Sequence, residues 1–203
     1  MNEPIRQAKR SARKNMKAAI AAVPAERRSA WSAGIAEHVT ALPEWKDCKT
    51  VLAFLPMQGE VDTTGVLERA LLENKILAVP RMYAEDIRFH RIESTAGPWE
   101  NHPYGVREPP ATFPVVDPCA EESGEVLVIT PGLCFDCRGG RLGFGKGYYD
   151  RVLKRCRRER PGQVFFAAVG FAIQLIDKVP RDAHDCMVDA IVTERGVEFR
   201  CGA

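Results

Sequence analysis

Two short apolar segments separated by a helix-length segment constrain the fold of this chain most strongly. Residues 50–55 and residues 76–80 are apolar and bounded by polar stretches, a pattern that indicates buried strands. Between them, Asp62 is suited to cap a helix that runs to Leu72. A strand–helix–strand unit of this kind predicts parallel strands joined by a right-handed crossover.

The same patterns extend over the rest of the chain. Helices are predicted over about the first 20 residues, from Pro24 to about residue 42, and from Tyr148 to about residue 158. Further strands are predicted at residues 87–92, 126–129, 163–169 and 188–193, with a possible edge strand at 197–200. Residues 94–124 are predicted to form a long irregular connection.

These elements predict a single-domain α/β fold, with a doubly wound, mostly parallel sheet flanked by helices. Residues 1–45 are assigned to N-terminal helices and residues 46–203 to the sheet core. Ligands in such folds bind at the carboxyl ends of the strands. We therefore expect the functional site at that edge of the sheet.

Charge and cysteine content exclude several classes of protein. The net charge of +2 is too small for a general polyanion binder, and the basic segments lack the aromatic residues typical of RNA-binding modules, so no nucleic-acid partner is expected. No segment approaches the ~20 apolar residues of a membrane span. The seven cysteines and the absence of a signal peptide favour a reducing cytoplasmic location.

A glycine-rich segment carries the strongest functional signal. Residues 138–147 contain five glycines, two arginines and a lysine, and a predicted amphipathic helix follows directly. Glycines allow backbone N–H groups to approach a ligand closely, and a helix N-terminus favours anions. This segment is therefore predicted to bind a polyphosphate, and Asp150 just beyond it to hold the accompanying magnesium ion.

A Walker A loop is the first alternative for this segment. Residues 140–146 match the G-x-x-x-x-G-K pattern, but Gly147 follows where a magnesium-binding Ser or Thr belongs. The preceding strand also ends about ten residues too early for the strand–loop–helix unit of that motif. We therefore reject a Walker P-loop.

Residues 141–150 resemble the signature of the 5-formyltetrahydrofolate cyclo-ligases, also called 5,10-methenyltetrahydrofolate synthetases. The resemblance covers nearly the whole chain, because other segments match the family in order and spacing. They are the basic first helix with Lys9, Arg10 and Arg13, residues 54–63, residues 104–109, His184 with Asp185, and Val188 with Asp189.

The resemblance implies an enzyme that converts 5-formyltetrahydrofolate and ATP to 5,10-methenyltetrahydrofolate, ADP and phosphate through an iminium phosphate. It implies Lys146 and Tyr148 as catalytic residues and Asp150 and Asp185 as magnesium ligands. The implied ATP-binding residues are Lys9, Arg10, Arg13, Arg141, Leu142, Gly143, Phe144, Gly145, Lys146, Gly147, Tyr148 and Tyr149. The implied folate-binding residues are Leu55, Glu60, Tyr104, Tyr148 and Tyr149. The expected partners are these two substrates, and the expected oligomeric state is a monomer.

Structural roles are the alternatives for several of these residues. Asp150 suits a helix cap or an ion pair, Glu60 suits a cap of the following helix, and the basic first helix suits a solvated face. Trp99 is a candidate, with Tyr104, for flanking the folate rings. Cys134 and Cys137 have metal or redox spacing, but no second cysteine pair follows.

Two other functions compete with the cyclo-ligase interpretation. One is an enzyme on the same sheet that acts on sugar phosphates or coenzyme A. The other is a non-catalytic protein that binds folate, nucleotide or RNA. The intact segment at residues 145–150 disfavours the first, and the presence of Lys146, Asp150 and Glu60 disfavours the second.

Overall fold

The computed structural model describes residues 3–103 and 105–200 of the chain. The helices are α1 (Glu3–Ala21), α2 (Ala25–Thr40), α3 (Pro43–Asp47), α4 (Thr64–Leu72) and α5 (Tyr148–Glu159). The strands are β1 (Thr50–Leu52), β2 (Ile76–Met82), β3 (Ile87–Arg91), β4 (Glu100–Asn101), β5 (Arg107–Glu108), β6 (Val115–Val116), β7 (Val126–Thr130), β8 (Cys134–Phe135), β9 (Arg141–Leu142), β10 (Val164–Val169), β11 (Ala190–Thr193) and β12 (Gly196–Arg200).

The central sheet has eight strands in the order β12-β11-β10-β7-β1-β2-β3-β6. Strands β11, β10, β7, β1 and β2 are parallel to one another. Strands β12 and β3 pair antiparallel at their two flanks, and β6 pairs antiparallel with β3. The sequence prediction of a mostly parallel α/β sheet is therefore confirmed.

Helices cover both faces of this sheet. Val51 packs in a hydrophobic cluster with Met16 of α1 and Ile35 of α2, whereas Leu52 packs on the opposite face with Leu153 of α5. All three residues of β1 are fully buried, because consecutive strand residues point to opposite faces and both faces are covered. This arrangement confirms the doubly wound architecture.

Several element boundaries differ from the sequence prediction. Strand β1 ends at Leu52, and the chain continues without regular structure toward α4. Helix α4 begins at Thr64, and the Asp62 carboxylate accepts a hydrogen bond from the Thr64 backbone N–H at 3.0 Å. The stretch 94–124, predicted to be irregular, contains strands β4, β5 and β6. Such two-residue strands are too short for periodicity to reveal.

The carboxyl ends of β1, β2, β7 and β10 lie along one edge of the sheet, because these strands are parallel neighbours. The loops that follow β1 and β7 begin there, and the second of them leads to the glycine-rich segment. No helix in the described parts of the chain is long and apolar enough to span a membrane.

Candidate functional site

A cleft of about 1490 Å³ lies at the carboxyl edge of the parallel strands. Its walls come from α1, the loop between β1 and α4, the end of β2, the glycine-rich segment, the start of α5 and the turn at residues 182–185. The predicted site residues that line it are Lys9, Arg13, Leu55, Glu60, Arg141, Leu142, Gly143, Phe144, Gly145, Lys146, Gly147, Tyr148, Tyr149, Asp150 and Asp185. The fold thus brings most of the predicted residues together.

A buried carboxylate organises the turn at residues 136–140, which precedes the glycine loop (residues 141–147). Asp136 is fully buried and accepts hydrogen bonds from the backbone N–H groups of Arg138 and Gly140 at 3.0 Å and of Val179 at 2.8 Å. Burial raises the pKa of Asp136, but these three donors outweigh it and leave the pKa below its usual value. A Cβ at Gly140 would lie 2.6 Å from the Asp136 carboxylate, so a larger residue does not fit there.

The glycine loop leads directly into the N-terminus of α5. Gly147 has a φ of +69° and caps the helix without a side-chain hydrogen bond. The left-handed conformation favours glycine, and it leaves the first N–H groups of the helix uncovered by a side chain. The start of α5 therefore presents N–H groups suited to an anion near Gly143 and Gly145, and anion binding there stays a prediction.

Arg141 is a buried cation in this loop. Its guanidinium donates to the Pro131 carbonyl at 3.1 Å and lies 3.2 Å from the Asp150 carboxylate. It also lies over the Tyr149 ring, 5.7 Å from the centroid. Its Nε is buried with no hydrogen-bond partner among the described residues. A buried donor without a partner is costly, and a bound phosphate oxygen would satisfy it.

Helix α1 is far from the glycine loop in the sequence, but it contributes cations to the same cleft. The Arg13 Nε donates to the Gly143 carbonyl at 2.8 Å, which ties α1 to the glycine loop. Arg6 and Lys17 also line the cleft, on the face that carries Lys9 and Arg13. Arg10 is exposed and is not among the cleft-lining residues, so its predicted ATP contact stays a prediction.

Lys9 is the most buried of these cations, with 3% of its surface exposed. Its Nζ donates to Asp182 at 2.8 Å and to Asp185 at 2.5 Å. Burial lowers the pKa of Lys9, but the hydrogen bonds and charges of the two carboxylates outweigh it and raise the pKa above its usual value. Lys9 therefore stays charged at the cleft wall.

The two predicted magnesium ligands lie close to each other. Asp150 accepts a hydrogen bond from the Cys186 backbone N–H at 3.1 Å, and Cys186 directly follows Asp185. Within residues 3–103 and 105–200, no group of three His, Cys, Asp or Glu side chains is placed to hold a metal by itself. Two carboxylates fit magnesium when phosphate oxygens supply further ligands. The donor set therefore suits a nucleotide-bound ion.

Glu60 lines the cleft from the loop between β1 and α4. Its Oε2 accepts the Met57 backbone N–H at 2.8 Å, while Oε1 is buried with no hydrogen-bond partner in the described structure. Burial raises the pKa of Glu60 to about 7. Glu60 does not cap α4, because Asp62 accepts the Thr64 N–H there. Its unsatisfied oxygen favours ligand binding over a capping role.

Two tyrosines, Tyr148 and Tyr149, begin α5 directly after the glycine loop, and both line the cleft with Glu60. The Tyr149 hydroxyl is buried without a partner among the described residues. Burial raises its pKa, and the charge of Glu60 adds to the rise, so the hydroxyl stays protonated. The Tyr148 hydroxyl donates to the Tyr83 carbonyl at 3.4 Å, and Arg151 lies over the Tyr148 ring. Leu55 is buried and lines the same cleft.

Other predicted residues have mixed outcomes. Tyr104 lies outside the described residues, and Trp99 packs against the core without lining the cleft. Phe144 is 39% exposed, and the Lys17 Nζ lies 5.6 Å from the centroid of its ring. Burial raises the pKa of the Cys134 thiol to about 11, which argues against a reactive thiolate.

Sequence reasoning missed three residues that shape the site. Asp136 and Asp182 make the contacts described above, and Gln174 donates through Nε2 to the Gly132 carbonyl at 2.8 Å. Asp136 lies three residues before a Gly-Gly pair, a position typical of an Asx turn, and this was the available signal. For Gln174 and Asp182 the sequence offered no such signal, because Gly132 and Lys9, which they contact, are distant in the chain.

Comparison with known proteins places the chain among folate enzymes. The model of the 5-formyltetrahydrofolate cyclo-ligase family matches residues 5–194. The 5-formyltetrahydrofolate cyclo-ligase of Mus musculus is 30% identical over 199 residues, which cover 94% of this chain and 95% of the mouse protein. A probable 5-formyltetrahydrofolate cyclo-ligase of Schizosaccharomyces pombe is 30% identical, with 82% of this chain and 85% of the yeast protein covered.

Solved structures show the same similarity. The NMR structure of Aquifex aeolicus 5,10-methenyltetrahydrofolate synthetase superposes with a TM-score of 0.79 at 33% identity, covering 96% of this chain and 93% of that one. A 5,10-methenyltetrahydrofolate synthetase from Mycoplasma pneumoniae has a TM-score of 0.70 at 21% identity, covering 92% and 98%, and shares the fold.

Proposed function

Because the chain belongs to the 5-formyltetrahydrofolate cyclo-ligase family, we propose that it catalyses the ATP-dependent cyclisation of 5-formyltetrahydrofolate to 5,10-methenyltetrahydrofolate. ADP and phosphate are the other products. The observation that carries this proposal is one cleft lined by two different sets of groups. One set has glycines, a helix N-terminus and buried cations, and the other has a buried carboxylate with an unsatisfied oxygen.

The chemistry explains why the reaction needs ATP. A formamide carbon is a poor electrophile, and its oxygen is a poor leaving group. The formyl oxygen attacks the γ-phosphorus, ADP departs, and an iminium phosphate forms. The neighbouring folate nitrogen then attacks the activated carbon and loses its proton. The C–O bond breaks and inorganic phosphate leaves.

The protein assists mainly by positioning the substrates and neutralising charge. The N–H groups at Gly143, Gly145 and the start of α5 bind phosphate oxygens, and Lys146 bridges the β- and γ-phosphates. Arg141 stabilises negative charge from its buried position. Tyr148 and Tyr149 line the cleft, and their proposed role is to separate the reacting atoms from water where the nucleotide and folate meet.

Asp150 and Asp185 are the residues that would hold magnesium. When bound, the ion neutralises phosphate charge and orients the nucleotide. In the structure Asp150 pairs with Arg141 and Asp185 pairs with Lys9, so both carboxylates are held at the cleft before any ligand arrives. Cytoplasmic location and a monomeric state remain predictions from the sequence.

On the folate side, Glu60 is proposed to bind the amino-pyrimidine part of the pterin. A carboxylate accepts two parallel N–H donors from such a ring, and Oε1 is the acceptor that the protein itself leaves unpaired. Leu55, near the start of the loop that follows β1, supplies apolar contact to the ring.

The reaction itself is the first prediction. Purified protein incubated with 5-formyltetrahydrofolate, ATP and magnesium is expected to form 5,10-methenyltetrahydrofolate, measured by its absorbance, with release of one phosphate for each product. Omission of ATP or of the divalent cation should each abolish product formation. A folded protein that leaves 5-formyltetrahydrofolate unchanged contradicts the proposal, and binding of both ligands without turnover would support a non-catalytic role instead.

The second prediction concerns Asp150. Asp150→Asn should raise the magnesium concentration for half-maximal activity by about tenfold, because one anionic ligand is lost. Calorimetric titration of magnesium into protein with ATP should show the same loss of affinity. Asp47→Asn, at an exposed acid on α3, is the matched control and should match wild type. An unchanged magnesium requirement in Asp150→Asn would show that this carboxylate serves only its contacts with Arg141 and Cys186.

A further inference from the structure

Lys9 and its two carboxylates join the first helix to the chain 173 and 176 residues later. The three side chains are largely withdrawn from solvent, with 4% of Lys9, 10% of Asp182 and 20% of Asp185 exposed. The cluster contains two negative charges and one positive charge. Because one carboxylate is enough to neutralise the Lys9 ammonium, the cluster has an excess of one negative charge.

The two carboxylates are held differently. Asp182 uses both oxygens within the protein: Oδ2 accepts from Lys9, and Oδ1 accepts the His184 backbone N–H at 2.8 Å. In the described structure, Asp185 is held through Oδ2, which accepts from Lys9 and from the Asp182 backbone N–H at 2.7 Å. Asp182 is therefore fixed through both of its oxygens, whereas Asp185, which lines the cleft as Asp150 does, is held through Oδ2.

This difference matters once a cation binds. A buried ammonium that loses all its carboxylate partners is strongly destabilised. If Asp185 were the sole partner of Lys9, the ion would have to compete with Lys9 for it. With Asp182 in place, Lys9 keeps one ion pair when Asp185 turns to the cation.

We propose that Asp182 is a positioning residue, which keeps the Lys9 ammonium in the cleft and thereby frees Asp185 for the nucleotide-bound cation. The proposal rests on the proposed function, in which Lys9 contacts ATP and Asp185 contacts magnesium. Asp182 itself touches neither ligand and acts through Lys9.

Asp182→Asn tests this by binding as well as by turnover. Calorimetry without folate should show that Mg-ATP binds about tenfold more weakly, the size expected when one member of a contacting charge network is removed. In the complete assay the KM for ATP should rise by about as much, with kcat at saturating Mg-ATP changed by less than about threefold. Asp117→Asn, which breaks the surface ion pair with Arg155, is the matched control and should bind Mg-ATP as wild type does.

A double-mutant cycle separates this role from general stability. In a Lys9→Gln background, Asp182→Asn should change the Mg-ATP affinity by less than about twofold, because the residue has nothing left to position. If Asp182→Asn melts below the assay temperature, Asp182→Ser replaces it, since a hydroxyl still accepts the His184 N–H without the charge.

Three results would each overturn the proposal. They are an unchanged Mg-ATP affinity in Asp182→Asn, an equal loss in both backgrounds, and a fall in kcat with an unchanged KM. A protein that binds Mg-ATP as described but forms no methenyl product overturns the proposed reaction and leaves this test of Asp182 valid.

Discussion

Replacing Lys146 by alanine is expected to lower kcat by about 10²–10³-fold, the loss typical of removing one charged stabiliser of a developing anion. Lys146 lies in the glycine loop between Gly145 and Gly147, the cap of α5, beside the N–H groups that are proposed to bind phosphate. Its ammonium is proposed to neutralise charge as the γ-phosphoryl group moves to the formyl oxygen. Steady-state measurement of methenyl-folate formation at saturating substrates gives the change in kcat.

The matched control is Lys14→Ala, which removes the same charge from an exposed position on α1 outside the cleft. It should leave kcat near the wild-type value. If Lys146→Ala retains wild-type kinetics, the glycine loop has a structural role only and the phosphoryl-transfer assignment is wrong. If both variants lose activity equally, net charge and not the position of Lys146 is responsible.

Glu60→Gln is expected to weaken binding of 5-formyltetrahydrofolate by about 1–3 kcal/mol, or roughly 5- to 150-fold, while ATP binding is unchanged. The reason is that pterin donors in a closed pocket lose a carboxylate acceptor and meet an amide N–H₂ instead. Isothermal titration of each ligand separately measures the two affinities. Glu68→Gln, at an exposed position on α4, is the matched control.

The same substitution should stabilise the unliganded protein at alkaline pH. Burial raises the pKa of Glu60 to about 7, whereas an unfolded chain has a Glu pKa of about 4.3. Between these values the folded state binds more protons than the unfolded state, so the contribution of Glu60 to stability falls as pH rises. Above pH 7 the buried charge costs on the order of 2–4 kcal/mol of unfolding free energy.

We therefore expect Glu60→Gln to melt at a higher temperature than wild type at pH 8 and at nearly the same temperature at pH 4.5. Thermal unfolding at the two pH values, without ligand, measures this. A variant that is less stable at pH 8 and binds folate normally would show that Glu60 serves only its own loop through Met57. Higher stability together with weaker folate binding would show that Glu60 binds folate and that its buried charge destabilises the unliganded protein.

The sequence by itself determined the sheet and the local backbone of the glycine loop. Buried runs such as residues 126–129 and the crossover between β1 and β2 follow from short-range periodicity and chain connectivity, which a single sequence contains. The glycines at 143–147 specify backbone conformation locally, and the family resemblance then indicated which ligand they bind. Both results depend on residues that are neighbours in the chain.

The tertiary structure decided which side chains face the cleft and what holds them there. Lys9, Arg10 and Arg13 looked equivalent in the sequence, but the rotation of α1 buries Lys9 and leaves Arg10 exposed. The partner of Lys9, Asp182, is 173 residues away, and no local pattern links them. Long-range contacts of this kind form only when separate elements dock on the sheet, because packing fixes the helix orientation that the sequence leaves open.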